Sequence, residues 1–463
     1  MWAGLWAAHP EAPVLEDGWD HTRRVDAATL DAHTAALASA LVEWGIAPGD
    51  RVLWCARATI SSVEALLAVL RCGAVLVPLS PSATGSEIDH VVADAAPALA
   101  LCDRDRPDAF ASGPAVVRLE DLGRIAGRAA ALADLPPRQP GDDALIVYTS
   151  GTTGKPKGAV HTHASLLAGV AALRAAWQWD AVDRLILALP LFHVHGLCAG
   201  LFGTLSAGAS TTVFDRFDGA AVLAAASTNT MFFGVPTMYH RLAGSGRASA
   251  LGPLRLCVSG SAPLAADLWQ QLAGDGVAVL ERYGMTETLL TFSNPLVGER
   301  RPGSVGLPLP GVEAALDDAD EQGIGELLVR GPSLCRGYWG RDAFDPGDWF
   351  ATGDLVSVAD DGYVTVRGRR TELIITGGHN VYPAEVEAVL SRHPGVVEVA
   401  VVGLPSAEWG ETVVAFVVGD PDLGSLQELA AAELAPFKCP RQVRLVDELP
   451  RNALGKVVRA ELR

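Results

Sequence analysis

Cysteine is sparse and scattered in this chain. The seven cysteines, from Cys55 to Cys439, are odd in number and form no C-x-x-C pair. That argues against a zinc cage or a disulfide framework, and most of the thiols are expected to be buried in a reducing compartment. Positive charge is also short: 36 Lys+Arg face 54 Asp+Glu, a net charge of −18 over 463 residues. Phosphate backbones and anionic bilayers are held by massed cations, so neither nucleic acid nor membrane is an expected partner. The longest uncharged run is residues 185–214, which carry no Asp, Glu, Lys or Arg. Pro190, His193 and His195 interrupt that run, so it reads as buried strand–loop–helix rather than a bilayer span. The N-terminal residues show no basic segment followed by an apolar one, and a cytoplasmic location is expected.

What is present suits large cores: 49% of the residues are hydrophobic and only 19% charged. Short apolar runs alternate with longer helical patterns, the signature of α/β layering. Residues 27–44 read as an amphipathic helix, and residues 51–54 as a strand after the Pro48-Gly49-Asp50 turn. A helix at 62–70 and a buried strand at 74–79 follow, and the unit repeats at 97–101, 116–117 and 144–147. Beyond Arg300 the texture changes to short strands with turn signals, as at 325–330 and 363–367. After Arg369 a compact βαβ-like tail comprises 372–376, 383–391, 396–402 and 413–418. The fold class is therefore α/β: a large N-terminal body of layered α/β subdomains, residues 1–369, and a small α+β C-terminal domain, residues 370–463.

The strongest motif runs from Tyr148 through Thr149-Ser150-Gly151-Thr152-Thr153-Gly154-Lys155-Pro156-Lys157 to Gly158, after the strand Leu145-Ile146-Val147. Small residues let backbone N–H groups turn toward a polyanion, hydroxyls add donors and lysines neutralise charge. It lacks the GxxxxGK[ST] spacing of the P-loop ATPases. Further along stand Glu281-Arg282-Tyr283-Gly284-Met285-Thr286-Glu287-Thr288, then Thr352-Gly353-Asp354, Gly368-Arg369, Gly377-Gly378-His379, and Pro450 to Lys456. In this order these motifs resemble those of the adenylate-forming superfamily of acyl-CoA synthetases, adenylation domains and luciferases. The resemblance covers most of the chain from residue 140 onward and is weaker before it.

That resemblance implies a reaction in two halves. A carboxylate attacks the α-phosphate of ATP to give an acyl-adenylate and pyrophosphate, and the thiol of CoA then displaces AMP. It implies that Thr149, Ser150, Gly151, Thr152, Thr153, Gly154 and Lys157 hold the phosphates. Glu287 and Thr152 would order Mg²⁺, a hard cation suited to oxygen ligands. Ser259, Gly260, Ser261 and Ala262 with Tyr283 would sandwich the adenine, and Glu281, Arg282, Gly284 and Met285 belong to the same ATP segment. Asp354 would take the ribose hydroxyls, and Arg369 the phosphate or ribose. Lys456, on a C-terminal domain implied to be mobile, would bridge the attacking carboxylate and the α-phosphate; Thr286, Glu287 and His193 complete the catalytic set. Gly377, Gly378 and His379 would line the path of CoA. The pivot is Thr371 where the family usually has Lys or Asp.

The acyl pocket is expected from residues 190–196, 234–241 and 259–263. Arg241 and Arg282 flank these segments with His193, His195 and Ser259 nearby. A fatty acid asks for an apolar tunnel, whereas a second carboxylate needs a cationic partner to be buried. Residues 189–197, 234–241 and 281–288 are similar to those of malonyl- and methylmalonyl-CoA synthetases. Arginine is more often a surface residue, and the alternatives remain another short or medium acid, or loading of a carrier protein. The two histidines are read as alternating residues of a strand, facing opposite sides, and not as a zinc site. The acidic balance is relieved locally: residues 436–463 hold seven basic and three acidic side chains, a net of +4.

Overall fold

The computed structural model describes residues 10–103, 110, 113–126, 138–149, 156–345, 347–406, 408–451 and 457–463. By contacts the chain forms two compact units, one of residues 1–313 and 330–348, the other of 314–329 and 349–463. The helices follow from their caps. Asp26 accepts from the Thr29 N–H at the start of Ala27–Glu43, and Thr59 and Ser62 form a reciprocal capping box at Ile60–Cys72. The second helix ends where Gly73 turns left-handed at φ +84°.

Two sheets organise the first unit. In the nine-stranded sheet, Val279–Met285, Leu256–Ser259, Met231–Gly234, Arg184–Leu187, Ser210–Val213 and Pro13–Asp17 run parallel in that order. Leu289–Ser293 and Leu307–Pro308 extend it antiparallel on one side. The seven-stranded sheet is parallel from Asp143–Thr149 through Val75–Pro78, Arg51–Cys55 and Leu99–Cys102 to Ala115–Arg118. Its strands Val75–Pro78 and Leu99–Cys102 are buried at every residue, which is why they read as continuous apolar runs rather than alternating ones. Among the described residues no helix is long and apolar enough to cross a membrane. The uncharged stretch 185–214 resolves into strand, π-helix His195–Phe202, a short helix and a further strand.

In the second unit, Ile324–Arg330, Phe350–Val358 and Val364–Arg369 form an antiparallel meander. Its other sheet carries the tail. Ile374–Thr376 and Val396–Ser406 both lie antiparallel to Gly410–Gly419, which separates them, with Pro383–Leu390 as the crossover helix. The βαβ expected of the tail is thus a split one. The seven cysteines are free thiols, six buried and Cys439 half-buried.

Candidate active site

The strands on either side of the Thr/Gly/Lys motif pair antiparallel. Thr149 ends one strand, Lys157 begins the next, and the two are register partners. Ser150, Gly151, Thr152, Thr153, Gly154 and Lys155 lie outside the described residues, as does Lys456 in the C-terminal motif. Lys157 is placed with its Nζ 5.4 Å from the centre of the Tyr338 ring. The Tyr338 hydroxyl donates to Glu287 Oε1 at 2.9 Å. A loop cation, a phenol and a buried carboxylate therefore meet at one place. Glu287 is only 6% exposed, and its one hydrogen-bond partner among the described side chains is this neutral hydroxyl. An acidic oxygen that no cation among the described residues pairs with fits a hard divalent ion that completes its shell with phosphate oxygens and water.

The turn that carries Thr286 and Glu287 is fixed from behind. His161 is fully buried and donates from Nε2 to the Thr286 carbonyl at 2.7 Å; a carbonyl only accepts, so that nitrogen carries the proton. Burial pushes the His161 pKa down to about 4, keeping the ring neutral. Gly284 permits the hairpin after it, because a Cβ there would sit 1.9 Å from the Leu289 carbonyl oxygen. The Tyr283 ring packs at 6.0 Å on Phe292, with its own strand exposed progressively toward Met285.

Next to this hairpin, Leu256–Ser259 pairs with Val279–Met285 so that Ser259 stands opposite Glu281. The chain then turns through Gly260, Ser261 and Ala262, with Ser261 at φ +72°, a conformation disfavoured for a side-chain-bearing residue. The guanidinium of Arg282 lies over Gly260, where an added Cβ would fall 2.3 Å from Nε. Arg282 is 5% exposed, its Nη2 is 3.4 Å from Ser261 Oγ, and its buried Nε has no hydrogen-bond partner. No carboxylate among the described residues pairs with it, and burial pushes its pKa down to about 9. Ser259 Oγ and both ring nitrogens of His195 are likewise buried without a partner. Burial first, then the charges of Arg282 and His193, drive the His195 pKa well below its ordinary value.

The strand geometry expected for the two histidines is not what forms. Val194 is helical at φ −54°, ψ −30°, and His195 opens the π-helix, its ring stacked on Phe233 at 6.3 Å. Pro190 and the close approach of Gly196 to the Pro190 carbonyl, 2.3 Å for an added Cβ, bend the chain out of the strand. The ring of His193 packs against Phe192 at 4.4 Å. Arg241 sits exposed in the last turn of Pro236–Gly244, not in the buried set with Arg282.

In the second unit, Asp354 is buried and Arg369 Nε lies 2.7 Å from its Oδ1; Thr352 Oγ1 accepts from the Asp354 N–H at 3.1 Å. Gly377 and Gly378, at φ +56° and +81°, form the two-residue turn between Thr376 and His379, a backbone that suits glycine in both places. The His379 ring stacks on Phe437 at 4.5 Å. Thr371 lies in the single 3₁₀ turn Arg370–Glu372. Sequence reasoning missed His161 and Tyr338, which touch Thr286 and Glu287 from 125 and 51 residues away.

Comparison with known proteins places these features. The family model described as AMP-binding enzyme matches residues 4–339, and that of the AMP-binding enzyme C-terminal domain matches residues 385–456. The chain belongs to the AMP-binding enzyme family, and it is an ATP-dependent acid–CoA ligase. It is 35% identical to a malonate–CoA ligase of Arabidopsis thaliana over 91% of this chain and 78% of that one. It is 36% identical to a feruloyl-CoA synthase of Amycolatopsis over 94% and 93%. The crystal structure of ATP-bound MatB from Rhodopseudomonas palustris superposes with a TM-score of 0.93 at 37% identity, covering 100% of this chain and 97% of that one.

Proposed function

We propose that this ligase activates malonate or a methyl-substituted malonate and transfers it to CoA. The observation that carries the reading is Arg282: a buried guanidinium with no carboxylate partner among the described residues, beside the unpartnered Ser259 hydroxyl and His195 ring. A cation in that state is compensated best by an anion brought by the ligand, which a dicarboxylate supplies and a fatty acid does not. Arg241, exposed in the last turn of its helix, is the second cation of the proposal. The 36% identity to a feruloyl-CoA synthase favours a second reading, an aromatic acid in the same pocket.

The remaining assignments belong to the proposal. Glu287 orders Mg²⁺ on the phosphates held by Thr149, residues 150–154 and Lys157. The 259–262 turn and Tyr283 take the adenine, and Asp354 with Arg369 the ribose. Lys456 stabilises the charge that develops on the α-phosphate, which is where a placed cation accelerates such a reaction. Gly377, Gly378 and His379 line the path of the CoA thiol. Residues 1–369 hold ATP and acid, residues 370–463 present Lys456, and the enzyme works in the cytoplasm. A panel of acids in a pyrophosphate-release assay with CoA present tests the substrate. Malonate or methylmalonate should lead, and Arg241→Ala and Arg282→Ala should lose diacids far more than monoacids. Equal loss for both kinds of acid, or ferulate in the lead, would refute the diacid assignment.

A further inference from the structure

Arg282 grips the near end of the 259–264 turn; its chain neighbour grips the far end. Glu281 Oε2 accepts from the Leu264 N–H at 3.3 Å, and Oε1 accepts from the Gly303 N–H at 2.9 Å. The side chain is 6% exposed. The strand itself is tied to the same second loop by Asn294, which donates from Nδ2 to the Glu281 and Ser304 carbonyls at 3.1 and 2.6 Å. Asn294 Oδ1 also accepts from the Arg301 N–H at 3.0 Å. The Glu281 carboxylate is thus the side-chain link between the turn that follows the parallel strand Leu256–Ser259, at the edge where open α/β sheets bind their ligands, and the loop that joins the antiparallel strands Leu289–Ser293 and Leu307–Pro308.

We infer that Glu281 is a positioning residue for the nucleotide: its ionised carboxylate clamps the 259–264 turn to the 301–304 loop and so holds the adenine-binding surface in shape. It touches no ligand and acts through the backbone. The inference rests on the proposed use of that turn for adenine, but not on which acid is the substrate.

The clamp is built to respond to pH. An ionised carboxylate accepts both N–H groups, whereas its protonated form spends one oxygen as a donor and leaves one amide unmatched. Burial pushes the Glu281 pKa up to about 7, with the Gly303 and Leu264 amides opposing it. The charged groups around it are otherwise engaged. Arg282 turns to Gly260 and Ser261, and Arg300 donates to the carbonyls of Ala278, Pro295 and Leu296. Arg301 pairs with Glu299 at 3.0 Å, Asp267 is exposed, and the buried Cys257 thiol is raised to about 12 and neutral. The sign follows: the clamp is complete above about pH 7 and loosens as pH falls through it.

The test is ATP affinity by calorimetry from pH 6 to 8.5, for the full chain and its Glu281→Gln, Glu281→Asp and Tyr283→Ala variants. The ratio of variant to parent at each pH cancels the titration of ATP itself. Glu281→Gln mimics the protonated acid, so it should bind ATP about tenfold more weakly than the parent at pH 8.5, the usual scale for losing a charge-assisted hydrogen bond. That ratio should shrink toward one at pH 6, and Glu281→Asp should recover the pH dependence in part. A constant ratio across the range, or parental affinity for Glu281→Gln at pH 8.5, overturns the inference even if the variant melts at a lower temperature. If Tyr283→Ala binds ATP normally, the adenine assignment fails and takes the inference with it. A weakened Tyr283→Ala beside a normal Glu281→Gln removes this inference alone.

Discussion

Replacing Arg282 by methionine should stabilise the empty enzyme while removing its diacid activity. Burial holds the guanidinium pKa at about 9 against an ordinary 12.5. At 1.36 kcal/mol for each pKa unit this corresponds to about 5 kcal/mol of unfavourable burial, a ceiling on what the charge costs the fold. Replacement of a buried charge by an apolar side chain of similar length commonly recovers about 1–4 kcal/mol. A base whose pKa is lowered on folding binds fewer protons than the unfolded chain only between about 9 and 12.5. The cost is therefore complete and constant below about pH 9. Urea unfolding followed by tryptophan fluorescence at pH 7 and pH 8 should give the same gain for Arg282→Met at both. Malonate should raise the midpoint of the parent, since a ligand that binds only the native state stabilises it by mass action. The variant should gain nothing from malonate and release no malonate-dependent pyrophosphate. A variant that unfolds earlier than the parent, or that still turns over malonate, refutes the reasoning.

Three further outcomes follow from neighbouring contacts. Gly260→Ala puts a Cβ 2.3 Å from Arg282 Nε, so it should raise KM for the diacid severalfold and spare monoacids, as competition assays between acids would show. Tyr338→Phe keeps the ring under Lys157 but deletes the hydroxyl on Glu287; a Mg²⁺ titration of pyrophosphate release should shift by about three- to tenfold. Arg255→Ala strands the buried Asp183 carboxylate, which Arg255 Nε meets at 2.6 Å, and should cost about 3–5 kcal/mol in urea unfolding without changing acid preference. Burial alone would raise the Asp183 pKa, but Arg255, the Asp180 amide and the Thr230 hydroxyl lower it overall. The stability this pair gives is accordingly present at neutral pH and lost on acidification.

The elements that sequence reading placed well are those with a local cause. The helix expected at 27–44 forms at Ala27–Glu43 because Asp26 caps it, and the strand expected at 74–79 forms at Val75–Pro78 because both its faces are buried. The hairpin turn at Gly377-Gly378 is likewise a property of two adjacent residues. What stayed hidden is long-range. Nothing in the sequence near residue 287 shows that Tyr338 will donate to it, and nothing near 281 shows that its carboxyl will be shared between Leu264 and Gly303. The histidines misled for the opposite reason: H-x-H alternates only if the chain is extended, and the turn after Pro190 winds it into a π-helix instead. Such helices are frequent at functional sites, where one extra residue re-aims a side chain.

A chain of net −18 looks ill matched to ATP and a dicarboxylate, yet the structure shows why bulk charge matters little. Lysine stands at only four positions, 155, 157, 438 and 456, and three of these fall in the phosphate-loop and C-terminal motifs. Surface charges beyond about 8 Å are screened at physiological salt, whereas a buried charge acts through a far lower effective dielectric. One guanidinium at 5% exposure can therefore outweigh many solvated carboxylates for a ligand that reaches it. The same burial raises Glu281 and lowers Arg282, adjacent residues of one strand whose charged states both work against the fold. Arg282 has no ion pair among the described residues to offset its burial, and Glu281 is offset only by the two loop amides it holds. Their common purpose is the turn between them, which carries the strained Ser261 and the bare Gly260 into the site.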